Sequence, residues 1–149
     1  MDSHALFLQQ AIDESRLSVE GGASPFGAII VKDGQVVTCA HNSVVESHDA
    51  TAHAEINAIR QASQKMGTHD LTGCILYCSC EPCPMCLEAI QWANIKEVYY
   101  AATRDDADSI GFRDKQFYDG DFVNLHRIQM PEAIEIMQRW YQSEDKQTY

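Results

Sequence analysis

Long apolar runs are absent from this chain. No segment approaches the roughly 20 consecutive apolar residues that cross a bilayer, so a membrane-spanning helix is not expected. The opening residues, MDSHALFLQQ, also lack the basic region and apolar stretch of a secretory leader. A cytoplasmic chain is therefore expected, and disulfides are rare in that compartment. Basic residues are scarce too: 11 Lys and Arg stand against 22 Asp and Glu, for a formal net charge of -11. They are scattered rather than gathered into the basic stripe of a nucleic-acid binder. Nucleic acid and membrane are both disfavoured as partners, and a small, weakly charged substrate is favoured. Linkers, internal repeats and low-complexity segments are missing as well. With 149 residues, 45% of them apolar, the whole of 1–149 is expected to form a single domain around one core.

What is present alternates between helical and extended patterns. Residues 5–19 place Leu8, Ile12, Ser15 and Val19 at helical spacing, and Gly21-Gly22 closes that helix. FGAIIVKDGQVVTCAHN is an apolar run, an Asp33-Gly34 turn and a second run, the pattern of a hairpin. DATAHAEINAIRQASQKMG is helical, with Thr51 as the expected N-cap and Gly67 past the end. CILYCS and EVYYAAT are expected strands, and PMCLEAIQWAN a helix with Pro84 at its first position. Residues 104–121, rich in Asp and poor in aliphatics, are expected to form a surface loop. FVNLHRI is a further expected strand, and 132–145 a last helix holding Trp140. The alternation predicts an α/β sandwich on a mixed sheet.

The stretch Cys80-Glu81-Pro82-Cys83-Pro84-Met85-Cys86 carries chemistry. Cys83 and Cys86 lie three residues apart at a helix start, so their thiols share one face. The positive end of the helix favours thiolate, the form that binds metal. A candidate third ligand is His53, at another helix start. Three protein ligands leave a fourth position for water, as in catalytic zinc sites, and zinc lowers the pKa of such a water to roughly 7. Glu55 follows His53 by two residues, about 200° around a helix, which is poor placement for a joint ligand and good placement for a proton carrier. Other readings stand beside this one. His53 alone is a cap or surface residue, and a lone C-x-x-C is a weak signal. Cys80, Cys83 and Cys86 also match part of an iron–sulfur motif, which needs a fourth ligand; Cys78 is the near candidate, and His53 and Glu55 then have no role. Cys39, Cys74 and Cys78 read as buried strand thiols, and Cys80 as a neighbour of the site that does not ligate.

H-x-E followed by P-C-x-x-C is the pattern of the zinc deaminases. PFGAIIVKDG, TAHAEINAIR, LYCSCEPCPMCLEAIQWA and the C-terminal Trp140 to Tyr149 ending resemble the cytidine deaminase-like superfamily, and within it the purine branch of bacterial guanine deaminases, from about residue 5 to the end. The resemblance implies a three-layer α/β/α fold around a five-stranded mixed sheet, a homodimer and one zinc per chain. It makes His53, Cys83 and Cys86 the zinc ligands and Glu55 the proton shuttle. It makes Asn42 a hydrogen-bond partner of the purine ring and the Ala54 N–H a donor to the base carbonyl. Phe26 becomes the aromatic packed on the ring, Trp92 part of the pocket wall, and Asp114 a second catalytic carboxylate that binds the 2-amino group. The segment from about 120 to 149 crosses to the neighbouring subunit in that family, where Tyr149 closes the pocket. Outside the resemblance, Phe26 and Trp92 read equally as core residues, Asp114 as a solvated charge and Asn42 as a turn former. Departures lie at Ala50, where Pro is common, at Glu88 and Gln91, and at Arg113. The implied reaction is hydrolysis of guanine to xanthine and ammonia. Alternatives are a guanosine or cytosine deaminase, a tRNA adenosine deaminase of the same superfamily, and a non-catalytic zinc module.

Overall fold

The computed structural model describes residues 2–120 and 123–149. It opens with helix α1 (Ser3–Glu20), whose N-cap Asp2 accepts the His4 N–H. Strands β1 (Gly27–Lys32) and β2 (Gln35–His41) follow as a hairpin. Asp33 and Gly34 both have positive φ, 50° and 75°, as a tight primed turn requires. A short helix α2 (Val44–Ser47) leads to α3 (Ala54–Met66), then β3 (Cys74–Cys80), α4 (Pro84–Trp92) and β4 (Glu97–Ala102). The strand order is β2-β1-β3-β4. The β1 pairings with β2 and β3 are antiparallel, and β3 with β4 is parallel, the connection that needs the α4 crossover.

Strand β1 lies inside the sheet and is buried on both faces, which explains its unbroken apolar run. Ile29 and Val31 meet Ala11, Tyr77 and Phe7 on the α1 side. Ala28 and Ile30 face Ala54, Ala58, Leu76 and Ile90 on the other, where α3 and α4 pack. Three layers result, α1, then the sheet, then α3 with α4. Tyr77 and Tyr99 stack beneath α1, and the Tyr77 hydroxyl lies 2.8 Å from His4 Nδ1.

Several expectations are corrected here. The sheet has four strands, not five. The strand expected over 122–128 begins outside the described residues, and 123–128 form no ladder; Leu125 is 91% exposed. Apolar alternation creates a candidate strand, but only an edge within hydrogen-bonding reach makes it one. The expected loop at 104–121 contains helices α5 (Arg104–Ser109) and α6 (Gln116–Asp119). Asp106, read as a loop residue, forms a capping box with Thr103. Thr51 does not cap α3; it bonds Asp49, and His53 is the N-cap. Cys39 is exposed on β2 rather than buried, while Cys74 and Cys78 are buried. The last helix, α7, spans Pro131–Tyr141. Among the described residues no helix is long and apolar enough to cross a membrane.

Gly27 marks the closest approach of helix and sheet. A Cβ there would lie 2.3 Å from the Ala11 carbonyl oxygen and 2.6 Å from the Ser15 nitrogen, both backbone atoms. Gly27→Ala is therefore expected to lower stability by about 1–3 kcal/mol, the usual cost of overpacking. Chemical denaturation measures it, and a loss under about 0.5 kcal/mol would mean that α1 shifts freely.

Candidate active site

Two helix starts build the centre. His53 is the N-cap of α3 and Cys83 the N-cap of α4, both with extended backbone. Pro84 occupies the first turn of α4, where no N–H is needed. Cys86 follows in that turn and is fully buried. His53 Nδ1 lies 3.5 Å from Cys83 Sγ and 3.6 Å from Cys86 Sγ. All three candidate ligand atoms fall within 4.8 Å of one another. Zinc bonds of roughly 2.3 Å to sulfur and 2.0–2.1 Å to nitrogen, at the tetrahedral angle, require an S···N edge of about 3.5 Å. The donor set therefore has both the chemistry and the size of a zinc site.

The two thiols are biased in opposite directions. Cys83 is held low, chiefly by the S–H that Cys86 donates; burial opposes this, and His53 adds to it. Cys86 is pushed up as the thiol that keeps the shared proton. His53 is raised, first by its contact with Cys83. The Cys80 thiol lies apart from this trio. Its Sγ faces the Thr103 carbonyl at 3.6 Å, and burial pushes it up to about 11. Among the described residues the metal-ligating cluster is His53, Cys83 and Cys86, which favours zinc over an iron–sulfur reading.

A cavity of about 590 Å³ opens beside this trio. Glu55, buried in its wall, is pushed up to about 7 by loss of solvent. Its carboxyl can thus hold or release a proton near neutral pH. Asp114 lines the same cavity and is also raised, by burial first and by the Cys83 charge second. Asn42 is buried, and its Oδ1 accepts the Val44 N–H at 3.0 Å, so its NH2 group is what remains to donate to a ligand. Ala54 opens α3, where first-turn N–H groups have no intrahelical acceptor. Phe26 lies on the cavity wall and meets Phe112 edge to face at 4.8 Å.

Trp92 and Tyr149 are not brought to this cavity within the chain. Trp92 is 63% exposed at the end of α4, and Tyr149 packs against it with ring centroids 5.8 Å apart. Residues that sequence reasoning missed include Phe112 and Phe117, both lining the cavity. Their signal was proximity to Asp114 in GFRDKQF, hidden by the loop-like composition around them. Asn57 was missed too. Its Nδ2 donates to the His41 carbonyl at 2.9 Å and to Ser43 Oγ at 3.0 Å, and so closes the loop that presents Asn42 and His53.

The family model described as the cytidine and deoxycytidylate deaminase zinc-binding region matches residues 1–102. The chain belongs to this deaminase family. It is 41% identical to the guanine deaminase of Bacillus subtilis (strain 168), over 99% of each chain. The X-ray structure of the Bacillus subtilis guanine deaminase superposes with a TM-score of 0.94, covering 100% of this chain and 99% of that one. The tRNA-specific adenosine deaminase of Aquifex aeolicus (strain VF5) is 46% identical, over 64% of each chain. The guanine deaminase of Nitrosomonas europaea is 31% identical with a TM-score of 0.70, covering 72% of this chain and 63% of that one.

Purified protein is expected to carry zinc by elemental analysis, and Cys86→Ala to lose it. Iron with acid-labile sulfide in the wild type would overturn the assignment.

Proposed function

We propose that the chain is a zinc-dependent aminohydrolase that converts guanine and water to xanthine and ammonia, with one zinc per chain. The observation that carries this reading is Asp114. It lies beyond the matched region of residues 1–102, yet the fold delivers it into the cavity lined by Glu55, His53 and Cys83. Two carboxyl groups in one partly dry cavity suit a base that must gain a proton on its ring and lose an amino group.

His53, Cys83 and Cys86 would hold the zinc, which would supply a water of lowered pKa for attack at C2 of the base. Glu55 takes a proton from that water and hands it to a ring nitrogen, a task its near-neutral pKa fits. Asp114 binds the 2-amino group and relays to it the second water proton, taken from the new C2 hydroxyl, as the C2–N bond breaks and ammonia leaves. The Asn42 amide and the Ala54 N–H hold the ring edge, and Phe26, braced by Phe112, packs on its face. These donors are in place before substrate arrives, which is how a site favours the transition state. The acidic C-terminal QSEDKQTY and the net charge of -11 disfavour tRNA as substrate. All six cysteines are free, which suits the cytoplasm.

The assembly read here is a homodimer with the segment from about 120 to 149 exchanged. Leu125, Ile128, Ile134, Met137 and Tyr141 all stand exposed, an apolar surface of the kind that marks an interface. In the exchanged dimer Trp92 joins the wall of a pocket closed by Tyr149 of the neighbouring copy.

An ammonia-release screen over bases and nucleosides is expected to select guanine. Glu55→Gln should keep its zinc and lose at least roughly 10²-fold in turnover. Release from an adenosine-containing tRNA stem-loop, with none from guanine, would replace the substrate; normal turnover by Glu55→Gln would remove that residue from the mechanism.

Deleting Gln147 to Tyr149 should leave a zinc-loaded dimer that has lost most guanine turnover, because an open site is wetter and its electrostatic contacts weaker. Steady-state kinetics beside oligomeric mass check this, and full activity after truncation would refute the lid.

A further inference from the structure

The turn that carries Asp114 has little regular structure of its own. Its main-chain bonds are local, Phe112 N–H to the Ala107 carbonyl at 3.1 Å and Phe117 N–H to the Asp114 carbonyl at 3.0 Å. What ties it to the metal side of the cavity is Tyr118, four residues after Asp114. The Tyr118 hydroxyl donates to the carbonyl of Pro82, the residue before Cys83. The Tyr118 ring lies under the Arg104 guanidinium, whose Cζ is 3.5 Å from the ring centroid. That guanidinium donates from Nε and Nη2 to Glu81 Oε2 at 3.0 and 2.6 Å. The Arg104 backbone N–H donates to Glu81 Oε1 at 3.0 Å, and the Glu81 N–H to the Ala102 carbonyl at 2.8 Å.

We propose that Arg104 and Tyr118 are positioning residues that fix the Asp114 turn against the Glu81-Pro82-Cys83 loop. Arg104 joins the end of β4 to that loop through Glu81, and its flat upper face is the platform for Tyr118. Tyr118 then spans from the platform to Pro82. The Asp114 carboxyl and the Cys83 thiolate are thereby held at one separation, although they come from segments distant in sequence. Neither Arg104 nor Tyr118 lines the cavity, so their effect on catalysis passes through Asp114. Lysine cannot replace Arg104, since it offers neither a fork for the carboxylate nor a plane for the ring. The catalytic part of this inference rests on the deaminase reading, and the geometric part does not.

The test uses Tyr118→Phe and Arg104→Lys, each made in the wild type and in Asp114→Asn. Tyr118→Phe keeps the ring and removes the bond to Pro82. In the wild-type background each change should lower kcat on guanine about 10-fold, within the range that misplacement of a catalytic group produces. KM should move less than about twofold, and zinc content should hold. In Asp114→Asn neither change should cost anything further, because the group they position is gone. Hydrogen exchange of the same proteins should quicken over residues 110–120 and not in β1 or β3. Equal losses of kcat in both backgrounds, or exchange over 110–120 that stays at the wild-type rate, overturn the proposal. If the wild type does not turn over guanine, the deaminase reading falls by itself, and exchange over 110–120 alone decides the clamp.

Discussion

The convergence of two helix N-termini is the constraint on which the rest of the site depends. α3 and α4 both begin at the same side of the sheet, and their caps are His53 and Cys83. Cap residues are extended, and neither His53 nor Cys83 turns its side chain back to bond its own helix, so two adjacent starts bring an imidazole and a thiol together. The unpaired N–H groups and positive dipole ends stabilise thiolate at that spot. Cys86 completes the set because three residues of helix return it to the same face. The parallel pairing of β3 and β4, with α4 crossing between them, places α4 beside α3 over the shared core of Ala58, Leu76 and Ile90.

Burial gives the site its acid–base character. Glu55 sits in the first turn of α3, where the dipole favours its charge, yet loss of solvent wins and lifts it to about 7. Asp114 is raised for the same first reason. The two carboxyl groups reach the cavity by different routes. Glu55 belongs to a helix locked into the core by Ala54 and Ala58, both wholly buried. Asp114 belongs to a turn held at its margins by Phe112 on Phe26 and by the Arg104–Tyr118 stack. One side of the cavity is rigid by packing, and the other depends on a few polar and aromatic contacts.

The C-terminal segment follows different physics. Residues 123–149 bury no side chain within the chain, and α7 presents Ile134, Ile136 and Met137 to solvent. A helix with an apolar face is stabilised by what covers that face rather than by propensity. Here Tyr149 meets Trp92 and His69, a thin contact for so much apolar surface.

The sequence by itself determined the hairpin at Asp33-Gly34, the three-layer alternation and the metal trio, because each is written in short-range signals: a turn pair, a hydrophobic period, and helix starts bearing His and Cys. It also carried Glu55, two residues from His53. The number of strands was not legible, since an apolar segment such as 123–128 becomes a strand only if an edge comes within reach. The helices at 104–109 and 116–119 were masked by Asp-rich composition, although Thr103 and Asp106 held the capping signal. Only the tertiary structure decided that Phe112 and Asp114 reach the cavity and that Trp92 does not reach it within its own chain. Those placements depend on contacts between segments far apart in the chain, Phe112 with Phe26 and Arg104 with Glu81, and no local pattern of residues encodes which distant partner a side chain will meet.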